Sequence, residues 1–123
     1  MSQQNLNGGD ILSLLSSVDY SSGNGQFRLV MLTGARFVLA GASTDEPVGV
    51  LQNKPKVDEA GAVAAGKTMK IVVGAGGVTA GCKVASGANG TAVIGTTGYI
   101  VGKSLETMAE GEVAEILWQV THL

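Results

Sequence analysis

Three observations predict a mainly β fold: a small β-barrel or β-sandwich-like domain of short strands with tight glycine turns. The first is glycine, 19 residues in 123 against a usual level of about 7%. These glycines follow no three-residue period, which excludes collagen, and each interior one disfavours a helix by about 1 kcal/mol relative to alanine. The second is that apolar residues come in short runs which the glycines interrupt. The third is the stretch Glu112–Val120, which alternates as a strand should. Ala114, Ile116, Trp118 and Val120 share one face, and Glu115 and Gln119 share the other with Leu117.

Taken in order, residues 1–26 form an N-terminal arm that is extended or partly helical. "MSQQNLNGGD" is polar and reads as flexible. "DILSLLSSVDY" suits a short helix with Asp10 as N-cap and Leu12, Leu15 and Val18 along one side, and equally an extended segment laid on a neighbour. Removing residues 1–20 is expected to leave the rest folded. Residues 27–123 are the β-rich domain. "FRLVMLT", "RFVLA" and "PVGVLQ" read as strands, and "NKPKVDEAG" as surface loop. "KTMKIVV" sends Met69, Ile71 and Val73 to one side and Lys70 to the other. "VTAGCKVAS", "TAVIG" and "YIVGKSL" are short strands, "GANG" is a turn, and "LETMAEGE" suits a helical turn. The last strand is expected at the centre of the core, with Trp118 and Phe27 as anchors; Trp118 also suits a subunit contact. A faint echo between "GARFVLAG…PVGVL" and "GCKVASG…IVGKSL" suggests two related halves, too weakly to claim duplication.

Hydrophobic residues make up 45% and charged residues only 15%. The chain therefore has material for a core but little charge to cover a monomer's surface, so part of that surface is expected to be buried against a partner. Eight basic and ten acidic residues give a net charge of -2 without a basic stripe, which argues against a nucleic-acid groove. A lone Cys82 excludes an internal disulfide and a paired-cysteine metal knuckle. No secretory pattern opens the chain and no apolar span approaches 18 residues, so neither export nor a membrane is expected.

"GAVAAGKT", Gly61 to Thr68, matches the phosphate-loop pattern letter for letter. A working phosphate loop stands between a hydrophobic strand and a helix whose N-terminus faces the phosphates. Here a polar, proline-broken stretch precedes the motif and the strand-like "MKIVVG" follows. The expectation is a turn followed by a strand. "IVVGAGGVTAG" has the flavour of a dinucleotide fingerprint, but Thr79 stands at the third glycine position and no helix follows.

His122 is the only histidine, and nothing places Cys82 or an acid beside it. Glu106, Glu110, Glu112 and Glu115 read as a solvated face. No nucleophile, base and orienting group can be assembled. The chain is expected not to be an enzyme, with no catalytic, cofactor-binding or metal-binding residue and no cofactor.

Five pieces carry a resemblance. They are "PVGVL" (Pro47–Leu51), the Ala- and Gly-rich entry to a strand (Ala60–Val73), "GGVTAGCKV" (Gly76–Val84), "VGKSLE" (Val101–Glu106) and "GEVAEILW" (Gly111–Trp118). In this order they resemble the tailed-phage capsid decoration, or cement, proteins. These are small Gly/Ala/Val-rich head-stabilising proteins, once catalogued as a domain of unknown function. The likeness spans residues 27–120, and the first 26 fall outside it.

The resemblance implies a structural protein that binds the outer capsid surface where major capsid subunits meet and stabilises the shell. Its partner would be the major capsid protein. It would form a homo-oligomer, a trimer before a dimer, and contact neither nucleic acid nor membrane. It would reside in the virion, and in the host cytoplasm before assembly. The alternative is another phage structural or carbohydrate-contacting module, such as a head fibre base, a tail component or an adhesin.

Overall fold

A computed structural model describes residues 9–122 of the chain. Ten strands form: β1 (Gly9–Ser16), β2 (Leu29–Thr33), β3 (Arg36–Leu39), β4 (Gly49–Leu51), β5 (Ala60–Gly66), β6 (Thr68–Val72), β7 (Lys83–Ser86), β8 (Ala92–Ile94), β9 (Tyr99–Ser104) and β10 (Val113–His122). One short 3-10 turn, Ala88–Gly90, joins β7 to β8. The mainly β fold that glycine content and short apolar runs predict is the fold observed.

The strands divide into two halves. In the first, β1 to β5 close into a barrel in the order β1-β3-β2-β4-β5. Its staves pair antiparallel except β1 with β3, which run parallel. In the second, the order is β6-β10-β9-β7-β8. A single parallel bridge between Val73 and Ala92 joins the two outer strands of this sheet. The strand orders of the halves differ, so the sequence echo does not correspond to a repeated topology.

Two apolar clusters hold this arrangement. Tyr20, Val30, Phe37, Leu51 and Val63 fill the barrel. The larger cluster joins Leu29, Ala40 and Val50 of the barrel half to Met69, Ile71, Val73, Val84, Val101, Ala114 and Ile116 of the sheet. Burying such side chains stabilises by about 1.5–3 kcal/mol each, so the shared cluster is what welds sheet to barrel.

Several local expectations change. Residues 9–16 are extended and hydrogen-bonded into the barrel, with Gly9–Leu15 opposite Ala60–Gly66 over seven pairs. Leu15 and Val18 are exposed, so the apolar stripe that suggested a helix is not a buried face. The rest of the expected arm, residues 1–8, lies outside the described residues. "GAVAAG" is itself strand β5 rather than a turn. Gly61 sits against Phe37, and a Cβ built at that position would land on the ring. No helix forms at "LETMAEGE". There Val78 bridges Met108, and the Glu112 carboxylate accepts a hydrogen bond from the Ala109 N–H at 2.8 Å.

β10 is central, between β6 and β9. Its alternation holds through Ala114 and Ile116 and then breaks. A bulge between Trp118 and Thr121 shifts the register, which is why Val120, expected inside, is exposed. The second expected anchor also moves. Phe27 is only half-buried, belongs to neither cluster and has φ +61°, whereas Phe37 is fully buried.

Candidate functional site

The residues that sequence reasoning weighed for chemistry do not come together. Cys82 is half-buried against the larger cluster. His122 packs on Tyr99, with ring centroids 4.4 Å apart. Among the described residues no group of three His, Cys, Asp or Glu is arranged to hold a metal. No helix among them is long and apolar enough to cross a membrane.

The glutamates expected to form a solvated face do more than that. The Glu106 carboxylate accepts from the Glu115 N–H at 2.8 Å, as Glu112 does from Ala109. Two of the four are thus side-chain clasps, Glu112 on the turn entering β10 and Glu106 on the start of β10 itself. Such self-bonding satisfies backbone donors that no strand partner reaches. The phosphate-loop look-alike is strand β5 running into β6, with no helix to supply a cradle.

What the fold does present is the outer face of the sheet. Because β10 alternates, Ala114 and Ile116 point into the core while Val113, Glu115 and Leu117 point out. Pairing extends this outward row across the strands. Leu117 stands opposite Thr68 on β6 and Lys103 on β9, and Lys103 opposite Lys83 on β7. Glu115 stands opposite Lys70, and its carbonyl accepts from the Leu105 N–H.

Leu105 is 49% exposed, Leu117 41% and Val113 39%. Three aliphatic side chains therefore share one face with Lys70, Lys83 and Lys103. Two lysines directly opposite on neighbouring strands disfavour each other, and the sheet holds them there without a facing acid in that row. Sequence reasoning placed Leu117 on the outer side of its strand. It did not find the patch, because the patch depends on which strands flank β10. Trp118 is partly buried and packs against the larger core cluster.

No family model matches this chain, and no curated protein matches it. Among solved structures, the fold is similar to the head fiber gp8.5 N base of bacteriophage phi29. The TM-score is 0.74 at 15% sequence identity, over 94% of this chain and 98% of that one.

That finding corrects the expectation of a capsid decoration or cement protein bound to the major capsid protein: the similar structure is a head fibre base, not a cement protein. The reason lies in what carried the resemblance. Glycines, alanines and valines in this order are what tight turns between buried short strands demand, so unrelated small β folds share them. The similar structure is of the kind named beside it as the alternative, a head fibre base.

Proposed function

We propose that this chain is a non-enzymatic structural module of a phage virion, working in the head region as the base of a fibre-type appendage. The observation that supports this reading is the end-to-end match to a fibre base domain. The TM-score of 0.74 extends over nearly the whole of both chains, so the likeness takes in the barrel and the sheet together. Fold alone does not fix function. The molecule's own surface adds that three of its exposed aliphatic side chains, Val113, Leu105 and Leu117, share the outer sheet face. A fibre base must hold neighbouring copies or a shaft, and this face is where such a contact forms.

Labelling of phage particles with antibody raised against the purified chain tests the proposal. Label at the feet of projecting fibres, and loss of those fibres when the gene is deleted, are the expected results. Label spread evenly over the shell, or confined to the tail, would reject it.

A further inference from the structure

Arg28 lies in the seam between barrel and sheet. Around it, the Phe27 N–H donates to the Leu51 carbonyl, the Leu51 N–H donates to the Arg28 carbonyl, and the Val72 N–H donates to the Phe27 carbonyl. The backbone here is strained, since Phe27 has φ +61°, a value bulky residues rarely adopt. Asn89, whose carbonyl accepts from Arg28 Nη1 at 3.2 Å, has φ +58°. Asparagine tolerates that value, so the outlier is Phe27, and strained positions of its kind concentrate at functional sites.

The guanidinium is incompletely satisfied. Its Nε is buried and has no hydrogen-bond partner. It has no carboxylate either: the ion pair found among the described residues is Arg36–Asp58. Arg28 lines two clefts, one of about 500 Å³ and one of about 330 Å³. The smaller also contains Glu110, which disfavours an anion. The larger contains no acid. Its walls are Val18, Tyr20, Val38 and Leu39, with Asn24 and Asn89 as neutral polar groups. Asp19 sits in sequence between two wall residues but is held by the Ser21 N–H at 2.9 Å.

We propose that the larger cleft is a binding site for an acidic side chain carried on a partner polypeptide, with Arg28 as the residue that receives the carboxylate. A planar guanidinium offers parallel donors that match a carboxylate, and receiving one in the cleft requires the side chain to turn so that its free donors face it. The aliphatic walls accept the apolar neighbours of the acid, the usual division of labour in a pocket with few polar groups. The inference stands independently of the fibre reading.

The test uses the full chain and the peptide acetyl-Ala-Val-Glu-Val-Ala-amide, followed by calorimetry and by the Arg28 Nε–Hε signal in NMR. Saturable binding that moves this signal is expected, at least tenfold weaker for the peptide with Gln in place of Glu. Arg28→Gln is expected to abolish binding and Arg28→Lys to weaken it at least tenfold. Val18→Glu, at a site already 41% exposed, keeps the fold and is expected to abolish binding by placing a like charge on the wall. No binding to the wild-type chain, or equal binding by the Val18→Glu protein, would overturn the proposal. Glutarate binding as tightly as the peptide would replace the polypeptide partner with a free dicarboxylate, and sulfate binding equally well would remove the carboxylate assignment.

Discussion

Gly61 lies directly against the ring of Phe37, so close that a Cβ built on it would overlap the ring and approach Leu51 Cδ1 to 3.1 Å. This contact sets the bore of the barrel, because Phe37 is the largest fully buried side chain among the described residues.

Gly61→Ala is therefore an overpacking change in a closed space. It should destabilise by about 1–3 kcal/mol, read as a lower urea midpoint at unchanged slope. Combining it with Phe37→Leu should recover part of the loss, with a coupling above about 0.5 kcal/mol in the double-mutant cycle. Additive losses would show that the ring does not set the requirement for glycine.

Deletion of residues 1–20 should not leave the remainder folded. It removes β1, and with it seven pairs to β5 and the parallel link to β3. It also removes Tyr20, which belongs to the barrel cluster and accepts from the Leu39 N–H at 3.1 Å. The expected result is loss of dispersed amide NMR signals from residues 29–66. A barrel with native-like chemical shifts after this deletion would show that four staves close without the fifth.

Lys83 and Lys103 stand opposite each other, so reversing one charge should help the sheet. Lys83→Glu is expected to stabilise by about 0.2–1 kcal/mol, with the gain shrinking as salt is raised. A loss of stability would mean that the lysines are held apart by something other than the sheet register.

Among the described residues, Asp19 is the acid with a pH signature. Hydrogen bonds from the Ser21 side chain and backbone, with a smaller attraction from Lys56, hold its carboxyl below the ordinary value of 3.8. A lowered folded value means that its contribution to stability is present above the unfolded value and is lost as pH falls through the folded one. Asp19→Asn should flatten the stability profile in that acid range and leave the shape near neutrality unchanged. A carboxyl carbon titration of Asp19 with a midpoint at or above 3.8 would contradict the assignment.

The sequence carried strand positions well where strands are buried on one side. Met69, Ile71 and Val73 are inside as their alternation requires. Ala114 and Ile116 are too, until the bulge after Trp118 breaks the period that the reading relied on. What it did not carry was non-local. Whether residues 9–16 coil or join a sheet depends on β5, fifty residues away, and nothing in "DILSLLS" signals that partner. Gly61 is legible only as a glycine; that it faces Phe37 is a fact of the closed barrel. The candidate surface was legible in part, through Leu117, while its lysines come from three other strands. Arg28 carried no signal, because a single arginine at the head of a strand is ordinary until its surroundings are known.

The lone bridge between Val73 and Ala92 has a consequence for crowding. An exposed sheet edge invites a neighbour's backbone to pair with it, and such pairing repeats without limit. Here five strands are already a barrel, and this one rung fastens the outer strands of the other five together. At that rung the backbone with which a second copy would pair is already taken. Where copies crowd together, a neighbour's backbone finds that point occupied, and contact there is left to side chains.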